Sequence, residues 1–413
     1  MITTFNKNHL LYFYVLLILF TALRNVSVVY YVLISFLTVY FLFSNKNSFK
    51  LGLHATLFYV FTACTFFMIF RSGIYMESWA FLPGVPRSLL MIFVTLVLFK
   101  NVNNDYQFDQ IIKVIFSCYF IAAITMVYQL YFGPVSWFSP HVTRGGLSRY
   151  STILGSLTIY GSIIGYSIIV LFSKRALLKK KLLLLTIIFS GGFISLSKSA
   201  VIMMILSVIV FILFEWKHMK LIYFIKRIVP YVFIAVTSFL FLLLNVQTLQ
   251  DYFNTIVIQA FGSDLSFINS SSIIVDSPRV SVEALYSRLF SWTGSMIEQY
   301  GPIVYFVGVG LQGGAGVMGL SGFSSSHNAF GDLFFMGGLL YLFIFLMLYV
   351  FTQYTHFKNR DNYISRIFIM VNILFLANMF VAAGSVYQPS ISILFWLSVV
   401  YANKVNNRLR VIQ

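Results

Sequence analysis

The sequence predicts an all-α fold: a polytopic integral membrane protein of about 12 transmembrane helices with one long extracytoplasmic loop. Three observations carry that prediction. Of 413 residues, 59% are hydrophobic and only 9% charged, against about 25% charged in a soluble domain. Nearly charge-free runs recur from end to end, each near the roughly 20 residues, or about 17 at the short limit, that span a bilayer. The basic residues behind the net charge of +17 fall mainly in alternate loops.

Twelve runs read as spans, near 10–23, 26–43, 51–70, 84–99, 114–132, 151–172, 182–197, 199–214, 228–245, 328–351, 366–383 and 389–402. The fourth, seventh and twelfth are short. The first follows Lys7, and no convincing small-residue cleavage site follows it, so it reads as a signal anchor. Lys7, Lys46, Lys50, Lys100, Lys113, the Lys174–Lys181 cluster, the Lys217–Arg227 cluster, Lys358, Arg360, Arg366, Lys404, Arg408 and Arg410 make up 20 of the 28 basic residues. The positive-inside rule puts these loops and both termini in the cytoplasm. The charge is therefore a topology signal and not the footprint of a nucleic acid. Cys64 and Cys118 lie inside apolar runs and read as small packing residues. No internal repeat and no hydrophilic linker divides the chain, so residues 1–413 read as a single membrane domain.

The loops on the other side are short, except 246–327. Within it Val282, Leu285, Tyr286, Leu289, Met296, Ile297 and Tyr300 recur at helical spacing, which predicts an amphipathic helix near 281–300 on the membrane face or against the bundle. Arg288 and Trp292, four apart, share one side of it. Gly301-Pro302 and a glycine-rich run from Gly308 to Gly322 follow. The loop closes on Ser324-Ser325-Ser326-His327-Asn328 and feeds directly into the tenth span, which places His327 at a membrane boundary.

Even-numbered spans begin on the outer side. A helix start offers unpaired N–H groups and the positive end of a dipole, both of which favour anions. Arg144 and Arg149 precede the sixth span, Lys198 opens the eighth and His327 the tenth, with Arg288 on the loop helix. If these ends converge they form a cationic pocket suited to a lipid-linked phosphate or pyrophosphate. A single interfacial Arg is more often a snorkelling anchor, and a lone His at a helix start more often a cap. The clustering of four such positions argues for a site. No Asp-any-Asp pair and no second His at ligand spacing accompanies His327, so no metal or other cofactor is expected. Asn328 and Asp332, four apart on one face, either position a sugar hydroxyl or cap and pack.

The pattern Arg288, Trp292, Pro302, Gly308-Val309-Gly310, His327-Asn328 and Gly337-Gly338 resembles the O-antigen ligase/polymerase superfamily. Arg144-Gly145-Gly146 with Gly155-Ser156 and Gly161 resembles that family's sixth-span signature, and Ser197-Lys198-Ser199 stands where Ser-Arg is common. The likeness covers about 144–340. It departs in Lys198, which grips phosphate as a point charge and not as a fork, and in the lack of a proline after Gly155-Ser156.

The resemblance implies a GT-C-like glycosyltransferase of the bacterial inner membrane, inverting and metal-independent, using an undecaprenyl-pyrophosphate-linked donor. His327 and Arg288 would be catalytic, Lys198, Arg144 and Arg149 would bind pyrophosphate, and Asn328, Trp292 and Asp332 would position the substrate. The implied partners are a lipid-linked oligosaccharide, membrane lipid, a chain-length regulator and a flippase, with no nucleic acid. The 46 Phe and the Arg144 to Gly155 spacing favour a polymerase, which extends a glycan on its lipid carrier. The alternative is a ligase, which moves the glycan to lipid A–core. A transporter or flippase is the rival of another class. Its central ionisable residues and half-repeat are missing from the sequence.

Overall fold

A computed structural model describes residues 7–25, 28–44, 52–75, 84–138, 142–144, 147–155, 159–173, 181–195, 197–215, 301–310, 328–381 and 385–412. The described residues are nearly all helical. The helices are α1 (Lys7–Leu19), α2 (Val28–Phe43), α3 (Leu53–Tyr75), α4 (Gly84–Asn101), α5 (Asp105–Phe132), α6 (Ile159–Ser173), α7 (Lys181–Ile194), α8 (Lys198–Glu215), α9 (Ala329–Lys358), α10 (Tyr363–Val381) and α11 (Pro389–Ile412). A single helical turn, Val304–Val307, precedes α9. Eleven of the apolar runs thus carry a helix. The run 228–245 and the loop helix near 281–300 lie outside the described residues.

Among the described residues four helices, α3, α5, α9 and α10, are long and apolar enough to cross a membrane, and the protein is membrane-embedded. In lipid, a helix satisfies its backbone groups internally, and the side chains follow the same rule. Thr62, Thr65 and Ser72 each donate to the carbonyl one turn back, at 2.9, 2.9 and 2.8 Å. Among the described helices proline stands where no N–H is needed, as Pro86 in the first turn of α4 and Pro389 opening α11.

The chain divides into two compact units, with boundaries inside α2 and α5. The first holds α1, the start of α2, most of α5 and α6 to α8. Its core is α6, buried at every residue from Ile159 to Phe172, as expected of a helix apolar all round. Gly161 lies so close to Ser197 and Ser199 that a Cβ there would collide with both hydroxyls. The first turns of α6 and α8 are therefore neighbours. At the other end of α6, Lys181 Nζ donates to the Phe172 carbonyl at 3.2 Å, a cation at a helix C-terminus.

One part of this unit departs from the all-α expectation. Val142–Arg144 (β1) and Leu147–Arg149 (β2) pair antiparallel, and residues 150–155 continue without helix. That segment is pinned by other contacts: Gln129 Nε2 donates to Ser151 O at 2.8 Å, the Ala22 N–H to Ile153 O at 3.1 Å, and Thr21 Oγ1 to Leu154 O. The expected sixth span, 151–172, consequently becomes helical only at Ile159. Its first residues are apolar enough for a helix but spend their carbonyls on neighbours.

The second unit holds the rest of α2, α3, α4, residues 301–310 and α9 to α11. Its core is α11, where every residue from Ser385 to Asn403 is buried. The rings of Phe345, Phe375 and Phe395 pack across it: Phe375 and Phe395 stack with centroids 4.7 Å apart, and Phe345 lies tilted against Phe395 at 5.6 Å. On the Lys358 side of that aromatic layer, amides and hydroxyls tie the helices together. Asn372 Nδ2 donates to Gln353 Oε1 at 3.1 Å, Ser398 Oγ to Asn372 Oδ1 at 3.0 Å, and His356 Nε2 to the Ser398 carbonyl at 3.1 Å.

Candidate functional site

His327, Arg288 and Trp292 lie outside the described residues. Arg144 and Arg149 do not stand at a helix start. They occupy the hairpin, where Arg144 pairs with Leu147 and Arg149 with Val142. Strand alternation puts positions 144 and 149 on one face of that ribbon. Lys198 is the first residue of α8, in the turn that meets the start of α6 through Ser197 and Ser199. These three positions belong to the first unit, Asn328 and Asp332 to the second.

Asn328 is the N-cap of α9. Its backbone is extended (φ −141°, ψ 150°), and its Oδ1 accepts from the Gly331 N–H at 2.6 Å. Asp332 follows in the first turn, where a carboxylate complements the positive helix end. Both are buried. Asn328→Ala is expected to cost about 1 kcal/mol, read as a lower thermal midpoint in detergent, while Asn328→Ser keeps the cap. Equal midpoints for the two variants would show that the cap contributes nothing.

The helix that Asn328 caps is broken. At Gly338, φ is 65° and ψ −166°, a conformation reserved for glycine. The expected tenth span, 328–351, is replaced by two pieces. Nine residues precede Gly338 and twenty follow it to Lys358, and twenty residues at 1.5 Å each cover about 30 Å, the full hydrocarbon core. The break deprives the carbonyls of Phe335 and Met336 of their helical partners. Residues 309 and 310 supply replacements: the Val309 N–H donates to Phe335 O at 3.0 Å and the Gly310 N–H to Met336 O at 2.8 Å. Such close passage of two backbones requires glycine on both. A Cβ on Gly308 would strike the backbone of Met336 and Gly337, and one on Gly338 the backbone of Phe306 and Val307. Gly310 in turn lies against Ser72 and the Met68 carbonyl of α3.

Polar side chains gather around this interlock. Tyr341, just past the break, hydrogen-bonds Thr65 of α3 at 2.8 Å and also the Tyr387 hydroxyl. Arg71, next to Ser72 on α3, is buried. Asn378 is fully buried, and neither its Nδ2 nor its Oδ1 has a hydrogen-bond partner among the described residues. Its level follows from the antiparallel register of α9 and α10, in which Gln353 Nε2 donates to Ile369 O, Tyr349 Oη to Asn372 O, and Phe345 faces Phe375. One further turn brings Asn378 level with Tyr341. Two residues on, the Phe380 ring meets Phe330 at 4.7 Å, on the other side of the break. Each unpaired amide group costs about 1–3 kcal/mol.

Sequence reasoning passed over Asn378 because it searched the spans for ionisable residues. An amide inside an apolar run is also expensive in lipid, and that signal was available. Among the described residues no group of three or more His, Cys, Asp or Glu side chains is arranged to hold a metal ion. No protein-family model matches the chain, and no curated protein matches it either.

Proposed function

We propose that this protein is a membrane glycosyltransferase, a polysaccharide polymerase that joins lipid-linked oligosaccharides at the outer face of a bacterial inner membrane. The observation that carries the reading is the interlock of α9. Gly308-Val309-Gly310 and Gly337-Gly338, two of the separated elements in the pattern that resembles the O-antigen ligase/polymerase superfamily, meet there: the Val309 and Gly310 N–H groups bond the carbonyls of Phe335 and Met336, and a Cβ on Gly308 would strike Gly337. Asn328, from the third element His327-Asn328, caps the half-helix between them. A pattern spread over thirty residues of sequence thus has a physical basis as one unit.

In this reading Arg288, Lys198 and Arg144 or Arg149 hold the donor pyrophosphate and neutralise the charge that builds as it departs. His327 takes the proton of the acceptor hydroxyl, whose oxygen forms the new bond to the anomeric carbon. The bond from that carbon to the pyrophosphate oxygen breaks, its electron pair leaves with the lipid pyrophosphate, and configuration inverts. Asn328, Asp332 and Trp292 position the sugar. A chain-length regulator and a flippase are the natural partners of such an enzyme.

A broken helix is also a device of secondary transporters, where the break lies at the bilayer midplane. Here a full membrane thickness of helix follows Gly338, so the break stands at one end of the span. The packed Phe345, Phe375 and Phe395 layer then separates the polar groups at the break from His356 and Asn372. Both features favour a site at the lipid boundary over a path through the unit. The test is the lipopolysaccharide ladder of a deletion strain. A single repeat unit left on the core is expected. Bare core with accumulating lipid-linked polymer would make the protein a ligase, and an unchanged ladder would remove both readings.

A further inference from the structure

Buried amides in this protein ordinarily find partners. Asn101, Gln129, Gln353 and Asn372 all donate to a carbonyl or a side-chain oxygen. Asn378 has no partner among the described residues, and it lies at the level where α9 is broken. An apolar residue there would relieve the protein of two unpaired groups, so the amide has a use that the resting fold does not display.

We infer that Asn378 is a sugar-positioning residue: its amide hydrogen-bonds a hydroxyl or acetamido group of the oligosaccharide at the break of α9. The inference rests on the glycosyl-transfer reading and extends it to a residue outside the family-like pattern. Three features specify the ligand and its route. The amide is neutral and offers both donors and an acceptor. A cation would use only its oxygen and an anion only its N–H groups, whereas a hydroxyl or an acetamido group uses both. Asn378 also stands three residues before the end of α10 at Val381, roughly 5 Å from the end of that span. A sugar held there remains near the lipid boundary.

The route is the half-helix itself. Residues 329–337 carry their own N-cap, and the break at Gly338 frees them from helical hydrogen bonding to the rest of α9. Displacing this piece about Gly338, together with residues 309 and 310 that bond its Phe335 and Met336 carbonyls, parts Phe330 from Phe380 and opens the level of Asn378. The Tyr341, Thr65 and Tyr387 hydroxyls lie on the same level and give the bound sugar further partners.

The test uses the full-length protein in lipid nanodiscs, with thermal unfolding and binding measured for wild type, Asn378→Leu and Asn378→Ala. The probe is the free oligosaccharide repeat unit released by mild acid from the host's lipid-linked pool, which carries neither lipid nor pyrophosphate. Wild type is expected to bind it and to be protected against unfolding. Asn378→Leu is expected to unfold at an equal or higher temperature than wild type without ligand, and both variants to bind at least tenfold more weakly. Unchanged binding in both variants overturns the inference, as does a wild type that does not bind the probe. A lower unfolding temperature for Asn378→Leu overturns it too, because the amide would then be structural. Elongation of lipid-linked repeat units in the same nanodiscs separates this result from the wider reading. Asn378-dependent binding without elongation sinks the transferase and keeps the sugar site. Elongation with an unchanged acceptor KM in Asn378→Leu does the reverse.

Discussion

Gly338→Ala is expected to lose most of its folded protein, at a cost of about 2–6 kcal/mol. Backbone strain in a conformation reserved for glycine contributes about 1–3 kcal/mol, and forcing a methyl into packed backbone about as much again. The collision is with the carbonyl and carbon of Phe306 and the nitrogen of Val307, none of which can rotate away as a side chain does. Gly308→Ala should behave alike, since Gly308 (φ 66°, ψ −176°) meets Met336 and Gly337 from the opposite side. The two substitutions share one contact, so their costs should fall short of the sum. Gly301→Ala is the control, with a positive φ of 81° but nothing within 4 Å of an added Cβ, and its expected cost is only about 1–2 kcal/mol. Thermal midpoints and monodispersity in detergent measure all three. If Gly301→Ala proves as damaging as Gly338→Ala, close passage at the break is not what requires glycine.

His327→Ala and Arg288→Ala are expected to abolish or strongly shorten the polysaccharide chains while leaving the protein in the membrane. Loss of a general base costs typically a hundredfold or more, and loss of one charge-assisted hydrogen bond to pyrophosphate roughly tenfold to a hundredfold. The readout is the lipopolysaccharide ladder of the complemented deletion strain, with membrane levels of each variant measured alongside. Near-normal chain length in either variant removes that residue from the mechanism. A residual ladder in Arg288→Ala beside a bare one in His327→Ala fits the roles assigned, because Lys198 and the hairpin arginines would still hold part of the charge.

The helices were legible because lipid solubility is a sum over consecutive residues. The start of α6 was not, because an apolar run does not disclose that the carbonyls of Ser151, Ile153 and Leu154 are engaged elsewhere. A local signal for the hairpin did exist: Gly145-Gly146 stands between Val142-Thr143-Arg144 and Leu147-Ser148-Arg149, a dipeptide suited to a tight turn. Reading both arginines as parts of a helix start hid it. Lys198 does open a helix, and Ser197 and Ser199 on either side of it pack against Gly161, so the starts of α6 and α8 adjoin. The candidate site was legible in its residue types but not in its form. Gly337-Gly338 is plain in the sequence, yet apolar residues continue on both sides, and hydropathy reads through the break as one helix.

By itself the sequence determined a helical, membrane-embedded chain and the positions of its apolar segments, since each depends on neighbours within a turn or two. The tertiary structure decided where α9 breaks, which residues satisfy the carbonyls it frees, and that Asn378 has no hydrogen-bond partner among the described residues at that level. Those outcomes depend on backbone groups distant in sequence meeting in a medium without water, where an unpaired carbonyl must find a donor from another segment. Val309 and Gly310 are that donor pair, and composition carries no record of the meeting.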